Sequence, residues 1–201
     1  MTMNSSNKLL GLCLALAFAA AQAQAGQIWK AGSTGDLNLT TSWWTTETGP
    51  TNPAAIGTTD ALRFGGSGQG ATIASIALGG DLTVGGIRLD NNTGTPNYNV
   101  TIAAGNTLTL NGASTADIAY ATAGIVLNSG TGGTLTINSD VALGAAQQWV
   151  TSRSVTVGGN LNLGANTLTS YTAGSGSITL DGIVSGTKAS GSNAILLNGT
   201  S

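Results

Sequence analysis

From Leu82 onward the chain repeats a triplet in which one threonine sits between two apolar residues: Leu82-Thr83-Val84, Val100-Thr101-Ile102, Leu108-Thr109-Leu110, Leu135-Thr136-Ile137, Val155-Thr156-Val157 and Ile178-Thr179-Leu180. Alternation with a period of two predicts β-strands, because successive side chains of an extended chain point to opposite faces. Threonine suits the outer face, since its branched Cβ favours the extended backbone and its hydroxyl stays hydrated. The flanking Leu, Ile and Val then turn inward. Between the triplets lie Gly, Asn, Asp and Ser, as in Asp90-Asn91-Asn92-Thr93-Gly94, Asn128-Ser129-Gly130-Thr131-Gly132-Gly133 and Ala173-Gly174-Ser175-Gly176. These residues supply positive φ angles and side-chain-to-backbone turns. No amphipathic helical pattern of normal length interrupts the series.

The spacing converts a set of strands into an architecture. Successive starts at Leu82, Leu108, Leu135, Val155 and Ile178 are separated by steps that fall within the shorter solenoid periods of about 20–29 residues. Leu135 is followed by apolar starts at Val141 and Trp149, and Val155 by Leu161 and Leu168. Three short strands per turn predict an all-β fold, a parallel three-strand β-solenoid or β-helix whose coils stack at about 4.8 Å. Leu108, Leu135, Val155 and Ile178 are then expected to be neighbours in successive coils. An antiparallel β-sandwich competes, because regular short strands with turn signals suit it too. The runs here are often shorter than the ~5–6 residues usual for strands, and hairpin signatures are thin.

Charge sharpens this picture. Only 7% of the 201 residues are charged, against about 25% in an ordinary soluble domain. Inward positions of a coil cannot hold unpaired charges. Stacked outward positions would set like charges in columns about 4.8 Å apart, at a cost of about 1 kcal/mol per pair even in water. With no His in the chain, a Ser-His-Asp or Cys-His arrangement, an imidazole proton shuttle and a His-ligated zinc are all excluded. A net charge of -2 and a pI of about 4.6 lack the basic footprint that nucleic-acid binding needs, so no nucleic-acid partner is expected.

Residues 1–25 read as a secretory signal: Lys8, an apolar core from Leu9 to Phe18, and a small-residue exit Ala23-Gln24-Ala25 before Gly26. That core is short of the ~20 residues a membrane-spanning helix needs. Cleavage after Ala25 removes Cys13, the only cysteine. The mature chain then holds neither disulfide nor thiol nucleophile, and no membrane span remains. Residues 26–70 carry Trp29, Trp43 and Trp44 with Pro50, Pro53 and Phe64, and are read as an N-terminal cap over the first coil. Residues 71–201 are read as the solenoid, incomplete at its C-terminal end.

The ordered series of motifs resembles the N-terminal part of bacterial autotransporter-associated β-strand repeat proteins. It comprises the exported start, Trp29 and Trp43-Trp44, then Asp60-Ala61-Leu62-Arg63-Phe64-Gly65-Gly66 and Leu82-Thr83-Val84-Gly85-Gly86-Ile87-Arg88-Leu89. It continues through residues 140–150 into Val155-Thr156-Val157-Gly158-Gly159, and ends in Gly174-Ser175-Gly176-Ser177-Ile178-Thr179-Leu180-Asp181-Gly182. The resemblance implies a right-handed β-helical passenger, exported through the inner membrane of a Gram-negative-type bacterium to the cell surface or medium. Two features depart from it: residues 183–187 read Ile-Val-Ser-Gly-Thr where an Asn-Thr-aromatic-x-Gly stretch is expected, and no barrel or sorting tail follows Thr200-Ser201.

Few residues are arranged for chemistry. A polysaccharide hydrolase or lyase would need paired carboxylates, or carboxylates with a base, and Asp81, Arg88 and Asp90 come nearest; as turn formers these Asp residues have an ordinary use. Residues 90–94 alternate oxygen ligands as a calcium loop begins but lack the later bidentate acid. Trp43 and Trp44 point to opposite faces of a strand, so one is available to stack on a sugar ring or both serve the cap. Gly65–Gly70 lacks the helix and Lys of a phosphate loop. The sequence therefore predicts no catalytic, metal or cofactor residues. It predicts a non-enzymatic exported passenger with a structural, display or adhesive role toward an extracellular protein or glycan. A β-helical carbohydrate-active or carbohydrate-binding protein is the competing function.

Overall fold

A computed structural model of the chain describes residues 26–29, 35–45, 51–65, 73–90, 99–112, 122–127, 133–187 and 194–200. The secretory-signal reading of residues 1–25 lies outside the described residues. Strand β1 (Gly26–Trp29) and the short β2 (Trp43–Trp44) precede the coils. The first coil holds β3 (Ala61–Phe64), β4 (Ile73–Ile76) and β5 (Leu82–Val84), and the second β6 (Gly86–Leu89), β7 (Val100–Ile102) and β8 (Thr107–Leu110). The third holds β9 (Ala123–Leu127), β10 (Thr134–Ile137) and β11 (Asp140–Leu143); the fourth β12 (Gln147–Thr151), β13 (Ser154–Val157) and β14 (Leu161–Asn162). The fifth is β15 (Leu168–Ala173), β16 (Ser177–Leu180) and β17 (Val184–Ser185), and β18 (Ile195–Thr200) opens a sixth.

Each coil contributes one strand to each of three sheets. The first face orders β18-β15-β12-β9-β6-β3-β1-β2, the second β16-β13-β10-β7-β4 and the third β17-β14-β11-β8-β5. Every pairing is parallel except β1 with β2. The molecule is therefore a three-sided parallel β-helix, and the antiparallel sandwich is set aside. Strand order also explains why the strands are short: each side of the triangle accommodates a few residues before the chain must turn a corner.

One expected stacking is corrected. Leu135 sits in register with Val100, Val155 and, through Val155, Ile178. Leu108 lies instead on the third face, between Leu82 and Val141. The physical reason is unequal coil length. On the first face the chain travels from Ile87 to Ile125 before it returns to register, but only from Gln147 to Leu168 two coils later. The step from Leu108 to Leu135 therefore ends one face short of a full turn, where the pattern looks the same.

Inward rows form one continuous core. On the third face Leu82, Leu108, Val141 and Leu161 are buried, and on the second Val100, Leu135 and Val155 are fully so. Outward threonines between them are half-buried, which is the predicted alternation. The aromatic segment packs on the first coil: the Leu37 and Asn38 N–H groups donate to the carbonyls of Ala77 and Leu78. Trp29, Trp43 and Phe64 pack together, with Trp29 and Trp43 edge to face at 4.9 Å. The Trp43 indole N–H donates to the Leu37 carbonyl at 2.8 Å, which satisfies its one polar atom. Phe64 belongs both to this cluster and to the first coil, so cap and solenoid share a core.

Corners repeat a device of their own. Asp81 Oδ1 accepts the Thr107 N–H, Asp140 Oδ1 the Asn160 N–H and Asn160 Oδ1 the Ile183 N–H. Each acceptor stands at the start of a third-face strand or one residue before it, and clips the next coil. Glycines fill the tightest approach: a Cβ on Gly159 would lie 2.2 Å from the Ser139 carbonyl oxygen, and one on Gly182 the same distance from the Gly159 oxygen. Backbone atoms block that space, so relief requires separating two coils. Gly159→Ala is expected to lower stability by about 2 kcal/mol or more, read as a reduced urea midpoint with the β-rich circular dichroism of the remaining folded fraction unchanged.

Candidate functional site

The one dense group of charged side chains among the described residues lies on the outside of the first face. Arg63 and Arg88 occupy equivalent positions in adjacent strands, in direct register. Their neighbours Leu62, Phe64, Ile87 and Leu89 point inward and are buried, so alternation turns both guanidiniums outward on the same side. Like charges in adjacent coils are the arrangement a stacked solenoid disfavours. Asp90 resolves it: Oδ2 accepts from Arg63 Nε at 3.0 Å and Nη2 at 2.8 Å, and Oδ1 accepts from Arg88 Nε. Arg88 and Asp90 are themselves buried residues.

This geometry separates the residues that chemistry would need together. Asp81 is exposed at the corner before β5, with its carboxylate holding the Thr107 amide. Asp90 follows β6 on a different face. The pair thus serves two structural tasks, a corner clip and a charge bridge. Both Asp90 oxygens accept from guanidinium groups, which contrasts with the calcium-loop reading, where they would face a metal ion. Asn91–Gly94, the rest of that segment, lie outside the described residues. No group of three or more potential metal ligands occurs among the described residues.

Trp43 is fully buried and stands in the cap rather than on a sugar-binding surface. The Trp44 side chain lies outside the described residues, as do Gly66–Gly70; Gly65, at φ 97°, fits closely against the Asp90 backbone.

Two features lie beyond what the sequence pattern predicts. Arg63 carries a signal, since Leu62-Arg63-Phe64 and Ile87-Arg88-Leu89 repeat apolar-Arg-apolar at a spacing of one coil. Arg153 carries none. It is buried at the corner before β13, and its Nε and Nη2 lack a hydrogen-bond partner among the described residues. Desolvation by burial lowers its pKa below the ordinary arginine value. Register sets Gly133 and Gly176 at the same corner in the neighbouring coils, positions where no side chain competes for the space.

The chain as a whole is a charge-poor three-sided β-helix with one Arg-Asp-Arg bridge among the described residues. No family model, curated protein or solved structure matches it. If the bridge is a structural device, Asp90→Asn leaves two adjacent guanidiniums without their counter-charge. The expected loss is about 3 kcal/mol, whereas Asp81→Asn keeps an acceptor at an exposed corner and stays within about 0.5 kcal/mol of the parent. Paired urea titrations measure both.

Proposed function

We propose that the chain is an exported, non-enzymatic β-solenoid passenger segment with a structural and presenting role. The observation that carries this reading is the uncharged outward columns of the stacked coils: Thr101, Thr136, Thr156 and Thr179 stand in register on the second face, and Thr83 and Thr109 on the third. Lateral columns of this kind suit repeated weak contacts that present the coil to an extracellular protein or glycan.

The signal-like residues 1–25 and the resemblance to autotransporter-associated β-strand repeat proteins support export and display at a bacterial surface. The separation of Asp81 from Asp90 and the burial of Trp43 favour this role over processing of carbohydrate. In a Gram-negative expression host, the surface or secreted fraction is expected to contain a chain whose N-terminal residue is Gly26. A polysaccharide panel is expected to give no reducing-sugar or unsaturated product above buffer. Turnover abolished by Asp81→Asn or Asp90→Asn would replace the presenting role with catalysis, and a cytosolic chain retaining residues 1–25 would remove export.

A further inference from the structure

The three outward faces of the coil differ in a way that strand preference does not explain. On the first face the outward row passes through Arg63, Arg88, Val126, Val150, Tyr171 and Asn198. On the third it passes through Thr83, Thr109, Ala142, Asn162 and Ser185. Both meet the same backbone demand with mixed residues. The second face alone repeats one residue, placing Thr101, Thr136, Thr156 and Thr179 in register in four successive coils with no shift between them.

A second column flanks the threonines two positions earlier along each strand. Thr134, Ser154 and Ser177 are in register, and Asn99 joins them through its Oδ1, which accepts from the Thr134 N–H and hydroxyl. Ser177 donates to Ser154 at 3.1 Å. This column is held within itself. The hydroxyls of Thr101, Thr136, Thr156 and Thr179, by contrast, make no hydrogen bond to another described residue and stand on the outward side of the sheet, where Asp181 at the corner after β16 is the nearest acid along the last strand.

We propose that the second face binds ice. Water oxygens bonded tetrahedrally at about 2.75 Å have second neighbours about 4.5 Å apart, and stacking of such layers repeats at about 7.3 Å. The two protein columns repeat at about 4.8 Å between coils and about 6.7 Å across a strand. The two lattices agree to about a tenth in both directions. Each point of the threonine column carries a hydroxyl and a methyl, and the β-branched side chain has little rotamer freedom left to lose on contact. Each contact is weak, but a rigid array engages a solid at many points at once. The partner is thus a repeating neutral lattice of donors and acceptors, which a charged or irregular face would not match.

The test uses the purified protein with nanolitre osmometry and ice-recrystallisation microscopy. Faceted ice crystals and a gap between melting and freezing temperatures are expected, both falling to the level of an albumin control in Thr136→Lys/Thr156→Lys. Thr109→Lys on the third face is expected to retain both effects, with cooperative melting verifying that every variant folds. The single Thr156→Lys chain provides the same reading with a smaller perturbation should the double variant not fold. A folded parent without hysteresis or ice shaping overturns the proposal. So does equal loss in Thr109→Lys, or full activity in the variants carrying Lys at 136 or 156. Capture by crystalline cellulose or chitin that depends on Thr136 and Thr156, without ice activity, would assign the face to a polymer instead.

Discussion

Each coil of this protein hydrogen-bonds to the coil before it and the coil after it, along three parallel ladders that share one axis. That constraint, equivalent positions held at about 4.8 Å, governs most of what the chain can contain. Residues far apart in sequence become immediate neighbours of their own kind, so any property of a side chain is multiplied along a column. Apolar columns build the core from Leu82, Leu108, Val141 and Leu161 or from Val100, Leu135 and Val155. Acceptors such as Asp81, Asp140 and Asn160 each clip the following coil at a corner. Glycines at 159 and 182 are required where two backbones meet too closely for a Cβ.

The same constraint accounts for the scarcity of charge and for the conspicuous exception among the described residues. Arg63 above Arg88 would be a like-charge column, and it exists beside Asp90, whose two oxygens reach both guanidiniums. With charge kept out of the other outward rows, the second face carries a uniform column of Thr101, Thr136, Thr156 and Thr179. Such faces are poor sites for acid-base chemistry, which needs titratable groups converging on one point. They are good surfaces for repeated weak contact with something equally regular or extended, and this links the proposed presenting role to the uniform threonine face.

Much of the architecture was legible because strand triplets report the local period directly. Three strands per coil could be read from the starts at Leu135, Val141 and Trp149, and the structure places those starts on three successive faces. Phase was harder. Leu108 and Leu135 have the spacing of coil neighbours but lie on different faces, because every inward row offers the same apolar residues and nothing in a triplet identifies its side of the triangle. Extra length between Ile87 and Ile125 shifted the count without disturbing the pattern. The Arg-Asp-Arg bridge was half visible: Arg88 and Asp90 stood out together with Asp81, which the structure sets apart at a corner, while Arg63 becomes their partner only when the first coil is stacked on the second. Arg153 at its corner could not be anticipated, since a buried guanidinium has no distinguishing local pattern.

Register underlies every one of these columns, and it is measured most directly by spin labels placed in pairs on the outward threonines. Labels introduced through Thr136→Cys and Thr156→Cys occupy adjacent coils of the second face, about one strand spacing apart. Their continuous-wave spectrum is predicted to be strongly broadened by dipolar coupling. Labels at Thr109→Cys and Thr136→Cys share the deceptive spacing of Leu108 and Leu135 but lie on different faces, and are predicted to give spectra close to the sum of the single labels. Broadening of the second pair with a sharp spectrum from the first would contradict the stacked order of coils.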